Sequence, residues 1–281
     1  MSIFFAAPIE QYPKDLAFVT NPSATNVDAN FPAANLRSMD PTQVFKSGGV
    51  TTGSVITWDF GSAREYDVVS MLHSSLSYKA TWLIEGSLDN ISWTVLRSSY
   101  PFSAHLTAVP GSWSGEINDP RRSILNRNKS QWVATTVQTH RYLRITIVGD
   151  ATLDQNFSLG RLFVGKKFVP ATGWQYGSSF NFIDPSSRER TGRGTLITES
   201  VDVIVSASVK MEFLTKVEMY DSMYEFNYWR GSSREFLACL DVEDTVRLQK
   251  NILYCTIAEG RTISFDAFNT HSQTWILESI A

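Results

Sequence analysis

Few residues in this chain have types and spacing that could do chemistry. The run Gly111-Ser-Trp-Ser-Gly115 has the outline of a nucleophile elbow, the sharp turn that exposes a hydrolase serine. Its central position, however, is Trp113. The histidines, His73, His105, His140 and His271, are scattered, and none has a second ligand at metal-binding spacing. Glu243 and Asp244 are adjacent, which reads as a solvated turn rather than an acid–base pair. Carboxylates distant in sequence could still meet in space, so this pattern alone leaves glycosidase chemistry open. Asp40 could give one oxygen to a hard cation, but such ions need several, and Asp40-Pro41 reads as the start of a turn. HExxH, P-loop and GxGxxG patterns are missing. The expectation is a protein that is not an enzyme, with no catalytic residues, no cofactor and no metal site.

Binding chemistry has more candidates. Tyr78, Tyr100 and Trp113 fall in predicted loops, where an aromatic ring can stack on a sugar or pack against a partner. Trp58 and Trp82 fall at strand positions and are expected in the core. Cys239 and Cys255 sit in apolar runs outside any CxxC pair, and are expected as buried free thiols.

The elements that must position these residues read mainly as strands. Ile56, Trp58 and Phe60 alternate with polar residues before a turn predicted at Gly61-Ser62; Leu143, Ile145 and Ile147 alternate likewise. YDVVSML, ATWLIEGS and SWTVLRS are further short strands, a spacing that points to a β-sandwich or jelly roll. From Tyr100 to Lys129 runs a long loop with Arg121, Arg122 and Arg127, expected to order against a neighbouring subunit. A boundary falls near Phe168–Gly173. Beyond it, Val201, Val203, Val205, Ala207, Val209, Met211 and Phe213 share one face of a long half-buried strand. Thr215 and Glu218 form a capping box for a helix carrying Val217, Tyr220, Met223, Tyr224 and Asn227 at helical spacing, with Gly231 as its stop. Strands resume with Phe236, Ala238, Leu240 and Val242 alternating, then ILYCTI, ISFDAF and TWILESI.

Composition agrees with a folded chain of about two domains. The 281 residues are 43% hydrophobic and 12% aromatic, too apolar for extended disorder. A net charge of −3 gives no sign of the basic surface that nucleic-acid binding needs, so no nucleic-acid partner is expected. The start, MSIFFAAP, lacks a basic segment, and no apolar run approaches the ~20 residues of a membrane helix, so no leader and no membrane insertion are expected.

Four ordered segments carry a resemblance: Phe31–Phe45 (FPAANLRSMDPTQVF), Ile56–Leu72 (ITWDFGSAREYDVVSML), Trp82–Leu96 (WLIEGSLDNISWTVL) and Arg141–Gly149 (RYLRITIVG). Together they resemble the discoidin, or coagulation factor 5/8 C-type, family. The resemblance implies a galactose-binding-like jelly roll over residues 1–168, with ligand loops at one end. By position these are Val27–Phe31, Phe45–Thr52 and Ser74–Lys79, which offer Lys46, Tyr78 and Lys79 as ligand-binding residues. Family members that bind calcium carry acidic residues where this chain has Ser38 and, nearby, Arg161. Residues 173–281 resemble the β-domain of siphophage tail-tip and minor tail proteins. That implies an all-β, two-domain chain whose second β-sandwich carries one α-helix. It implies a structural component of a phage tail tip or baseplate in the virion, built as a homo-oligomeric ring against tail tube, hub and distal tail proteins. The alternative is a carbohydrate-binding adhesin that contacts a host surface glycan.

Overall fold

A computed structural model describes residues 3–11, 19–48, 53–77, 79–101, 128–190, 196–199, 203–243, 251–260, 262–267 and 270–280. The described residues are mainly β-strand, with a helical segment at Glu218–Arg230 and short turns. The chain divides into two compact units. The N-terminal unit is built from Ala6–Lys167 and Asp244–Ile252; the C-terminal unit comprises Met1–Phe5, Phe168–Glu243 and Leu253–Ala281.

After β1 (Phe4–Pro8), the N-terminal unit contains β2 (Ser23–Ala24), β3 (Phe45–Lys46), β4 (Gly53–Ser74), β5 (Thr81–Ser87), β6 (Thr94–Pro101), β7 (Asn128–Val148) and β8 (Ser158–Phe168). The main strands lie in the order β6-β5-β7-β4-β8, and all the paired neighbours are antiparallel. Period-two alternation does what the sequence requires: Ile56, Trp58, Phe60, Leu143, Ile145 and Ile147 all enter one core, with Trp82 among them. Each such large side chain taken from water contributes ~1.5–3 kcal/mol.

Gly61-Ser62 does not end a strand, contrary to the sequence expectation. β4 runs through it and bends, with Gly61 at φ 77° and the β4–β7 register shifting between Asp59 and Arg64. This is a bulge, which bends a strand while its two halves stay paired. Only the ends of the predicted 100–129 loop are described: β6 reaches Pro101 and β7 starts at Asn128. His105, Trp113, Arg121, Arg122 and Arg127 lie outside the described residues, as does the stretch Gly111–Gly115.

The C-terminal unit contains β9 (Ser179–Ile183), β10 (Ser187–Arg190), β11 (Leu196–Glu199), β12 (Ile204–Leu214), β13 (Phe236–Cys239), β14 (Ile252–Glu259), β15 (Ile263–Ala267) and β16 (Thr270–Ser279). The order is β13-β14-β16-β12-β9, with β15 added against β16, while β10 and β11 form a separate two-stranded ribbon. Its core gathers Phe5, Val209, Met211, Met223, Phe236 and Trp275. The Phe5 ring meets the Trp275 ring edge-on at 4.7 Å. Both cysteines are buried and unbridged.

Three sequence expectations are corrected here. Phe213 leaves the core face: it takes φ 58°, the register slips between Met211 and Leu214, and Leu214 is buried instead. Val203 lies before β12 and is exposed; Val201 is outside the described residues. β13 is buried on both faces, so Leu237 and Cys239 join Phe236 and Ala238 inside.

The capping box forms as expected. Thr215 N and Oγ1 donate to Glu218 Oε2 at 2.9 and 2.8 Å, while Glu218 N donates to Thr215 Oγ1 at 3.3 Å. The helix beyond it is not a regular α-helix. Glu218–Tyr224 is π-helical, and α1 (Glu225–Arg230) follows, stopped at Gly231 with φ 56°. Met219 and Met223 are buried, while Val217, Tyr220, Tyr224 and Tyr228 face outward.

Candidate functional site

At the end of the N-terminal unit where the resemblance puts ligand loops, several of those loops do meet. Lys46 pairs with Ser158 in the β3–β8 ladder, and Ser158 N donates to Ser75 Oγ at 2.7 Å. Val27 bridges Ser47. A buried carboxylate, Asp154, locks the adjoining turn. It accepts from Ser77 N (2.6 Å), Ser77 Oγ (2.7 Å) and Asp150 N (2.7 Å). Three donors satisfy a buried carboxylate through hydrogen bonds alone.

The candidate side chains there are turned to internal contacts. Lys46 Nζ sits 3.9 Å from the centroid of the Phe31 ring, a cation–π contact. Lys79 Nζ lies 3.6 Å from Asp150 Oδ2. Tyr78 and residues 49–52 lie outside the described residues. Tyr100, another candidate platform, has the Arg97 guanidinium 4.1 Å over its ring.

The cation question has a similar answer. Asp40 Oδ1 accepts from Thr42 N (2.9 Å) and Thr42 Oγ1 (2.7 Å), the geometry of a turn. The hydroxyl bond is the main reason its pKa lies below the usual carboxylate value. Arg161 is fully buried, paired with Glu10, and donates to the Leu36 carbonyl. The position therefore holds an internal ion pair. Among the described residues, no three His, Cys, Asp or Glu side chains converge on a metal position.

The segments carrying the resemblance have a structural use instead. Arg141 makes a two-pronged bond to Asp59 (2.9 and 3.0 Å), and Arg144 makes another to Glu85 (2.7 and 2.9 Å). These pairs tie β7 to its neighbours β4 and β5. Arg144 also lies 4.1 Å over the Trp93 ring. The Arg141 bond holds the Asp59 pKa below its ordinary value.

A more ligand-like surface lies in the C-terminal unit. Tyr220, Tyr224 and Tyr228 stand one turn apart on one side of the helical segment, and with Met219, Asn227, Ile263 and Phe265 they line an open groove of about 450 Å³. The Tyr224 and Tyr228 rings are stacked, 6.4 Å apart and 9° from parallel. Phe265 forms the facing wall, with His271 edge-on behind it at 4.9 Å. Tyr228 and Phe265 are each 69% exposed, so these rings present their faces to solvent rather than to the core.

Asn227 borders the groove and is anchored from behind. Trp275 Nε1, a donor only, points at Asn227 Oδ1 at 3.1 Å. That contact fixes the amide orientation; Nδ2 is itself buried, with no acceptor among the described residues. The groove thus combines flat aromatic faces with phenolic hydroxyls. Among the described residues its lining has no carboxylate, imidazole or thiol. The π-helical turn in its wall is of a kind that is rare overall and frequent at functional sites. Sequence reasoning took this helix by its apolar spacing and missed the groove. The available signal was tyrosine at every fourth position, Tyr220-x-x-x-Tyr224-x-x-x-Tyr228, with no aliphatic residue among the three.

No protein-family model matches the chain, and no curated protein matches it. Among solved structures it is similar to CpGH89CBM32-6 of Clostridium perfringens, at 15% identity over 54% of this chain and 98% of that one, with a TM-score of 0.36. It is also similar to chitosan-binding module 1 of a chitosanase/glucanase from Paenibacillus sp. IK-5, at 17% identity over 53% and 97% of the two chains, TM-score 0.39. A third is a pectin-binding carbohydrate-binding module, at 12% identity over 52% and 89%, TM-score 0.36. At these values the likenesses carry no weight for the activity of this chain.

Proposed function

We propose that the protein is a non-catalytic, saccharide-binding attachment protein, and that its ligand platform is the tyrosine face of the C-terminal unit. The observation that carries this reading is the stacked Tyr224–Tyr228 pair lining an open groove. A pyranose ring has apolar C–H faces and a hydroxyl rim. Aromatic faces with a few placed polar groups complement both, and the groove volume falls in the ordinary range for small-ligand sites, ~300–1,000 Å³. Among the described lining residues the polar groups are tyrosine hydroxyls and one amide, a set that suits binding. At the loop end of the N-terminal unit, Lys46 and Lys79 are held by Phe31 and Asp150, which leaves them less to offer a sugar.

Titration calorimetry of the full chain against a panel of neutral oligosaccharides tests this. The expected result is saturable binding that weakens ~10-fold in Tyr224→Ala and in Tyr228→Ala, and is unchanged in Lys46→Ala and Lys79→Ala. Loss in the lysine variants alone would move the site to the N-terminal unit. Absence of binding at millimolar sugar would overturn the reading. A second reading, a structural component of a phage tail tip, draws its phage assignment from the sequence resemblance. The observation that favours an assembly role is the β9 edge of the C-terminal sheet, which among the described residues is paired on one side.

A further inference from the structure

Residues 179–190 and 196–199 present an exposed surface that a partner could cover. β9 is the edge of the C-terminal sheet, bonded to β12 on one side, and all five of its residues are exposed. Its register pairs Phe180 with Ala207 and Phe182 with Val205, so both phenylalanines lie on the face that carries Ala207, Val209 and Met211 into the core. That core face therefore continues past the edge, with Phe182 68% exposed. Exposed edges with apolar side chains are sites of strand or sheet association.

The ribbon that follows has two chemically opposite faces. Its register is Ser187↔Glu199, Arg188↔Thr198, Glu189↔Ile197 and Arg190↔Leu196. Side chains of paired residues share a face, and faces alternate along the strand. One face therefore carries Glu189, Glu199, Ile197 and Ser187. The other carries Arg188, Arg190, Leu196 and Thr198. All eight residues are exposed. An isolated two-stranded ribbon is marginal in water, so one whose eight described side chains are all exposed calls for a cover.

From this we infer that the ribbon and the adjoining β9 edge form a head-to-tail interface with a second copy of this chain, the arginine face of one ribbon packing on the glutamate face of the next. Charge complementarity selects both the occupant and the geometry. Each face carries two like charges beside one apolar residue, so identical ribbons match arginine face to glutamate face. A two-fold pairing of the same face would oppose like charges. Head-to-tail contacts generate rings or filaments rather than closed dimers.

Sedimentation velocity on the full chain decides this. The wild type is expected to form species larger than a dimer as concentration rises. The association should weaken about tenfold between ~0.1 M and ~1 M salt, where the Debye length falls from ~10 Å to ~3 Å. Arg188→Glu/Arg190→Glu makes both faces acidic, and Glu189→Lys/Glu199→Lys makes both basic. Each variant alone should stay monomeric, and mixing the two should restore association. That rescue also excludes misfolding as the cause of the losses. A wild type that is monomeric at the highest concentration, a strict dimer, unchanged assembly in the variants, or no recovery on mixing would each overturn the inference. Heparin binding by the monomeric wild type, lost in Arg188→Glu/Arg190→Glu, would assign the basic face to a polyanion and overturn it as well.

Discussion

Removing Arg161 should cost the N-terminal unit more than almost any other single change. The guanidinium is fully buried, pairs with the Glu10 carboxylate and donates to the Leu36 carbonyl. Arg161→Met keeps much of the side-chain volume but leaves Glu10, 5% exposed, without its cation. An unpaired buried charge costs ~3–5 kcal/mol, and the orphaned Leu36 carbonyl adds ~1 kcal/mol. Against a total stability of ~5–15 kcal/mol that is a large fraction. Glu10→Leu alone should be similarly damaging, because it strands the arginine. The double variant, with both charges gone, should recover most of the loss, since replacing a whole buried pair by apolar groups is often neutral. Pulsed hydrogen exchange across a urea series reads the two units from their own peptides. The expected result is an early transition in β4 and β8 peptides of the single variants, a near wild-type midpoint in the double variant, and unmoved β12 and β16 peptides. A double variant as unstable as Arg161→Met would refute the charge argument and assign the loss to packing.

Thr215→Ala removes the capping hydroxyl and should destabilise the helical segment by ~1 kcal/mol, seen as faster exchange of its amides while β4 amides are unaffected. Gly260→Ala should lower the C-terminal unit's urea midpoint, because a Cβ there would lie 2.1 Å from the Thr274 carbonyl oxygen at φ +85°; an unchanged midpoint would refute the geometry. Asp59 is held below its ordinary pKa of 3.8 by Arg141, so its contribution is complete above that value and is lost as pH falls through the lower folded pKa. Asp59→Asn should therefore flatten the acid limb of the N-terminal unit's stability curve below about pH 4, and an acid limb of unchanged slope would exclude that coupling. Cys239 and Cys255, both fully buried, should resist a water-soluble thiol reagent until urea opens the C-terminal unit.

What was legible in the sequence was the part set by simple alternation. Ile56, Trp58 and Phe60 are buried because every second residue of a half-buried strand faces the core, and local spacing records that directly. The capping box was legible for the same reason, since Thr215 and Glu218 act on each other within one turn. Gly61 was misread because a glycine-serine turn and a glycine bulge look alike locally; the partner strand β7 decides between them. Phe213 was misread because one extra residue before Leu214 flips the inward position. The tyrosine groove was missed because π-helical spacing rotates the buried side onto Met219 and Met223, and apolar periodicity cannot foresee which side docks. The buried Arg161–Glu10 pair joins residues far apart in sequence, and nothing local announces it.

The long pairing of β4 with β7 also governs how this molecule reaches its native state. Residues 53–74 have their chief partners in residues 128–148, so β5 and β6 must be made before β4 can find its register. Loop closure of that span precedes any reward from the ladder, which places folding of the N-terminal unit among the slow, non-local topologies rather than the microsecond folders. During synthesis, β4 waits with Trp58, Phe60 and Tyr66 uncovered until its mate leaves the ribosome. A nascent chain stalled between β6 and β7 would therefore be the form most prone to aggregate, and a chaperone that shelters β4 over that interval would raise the yield of the native protein.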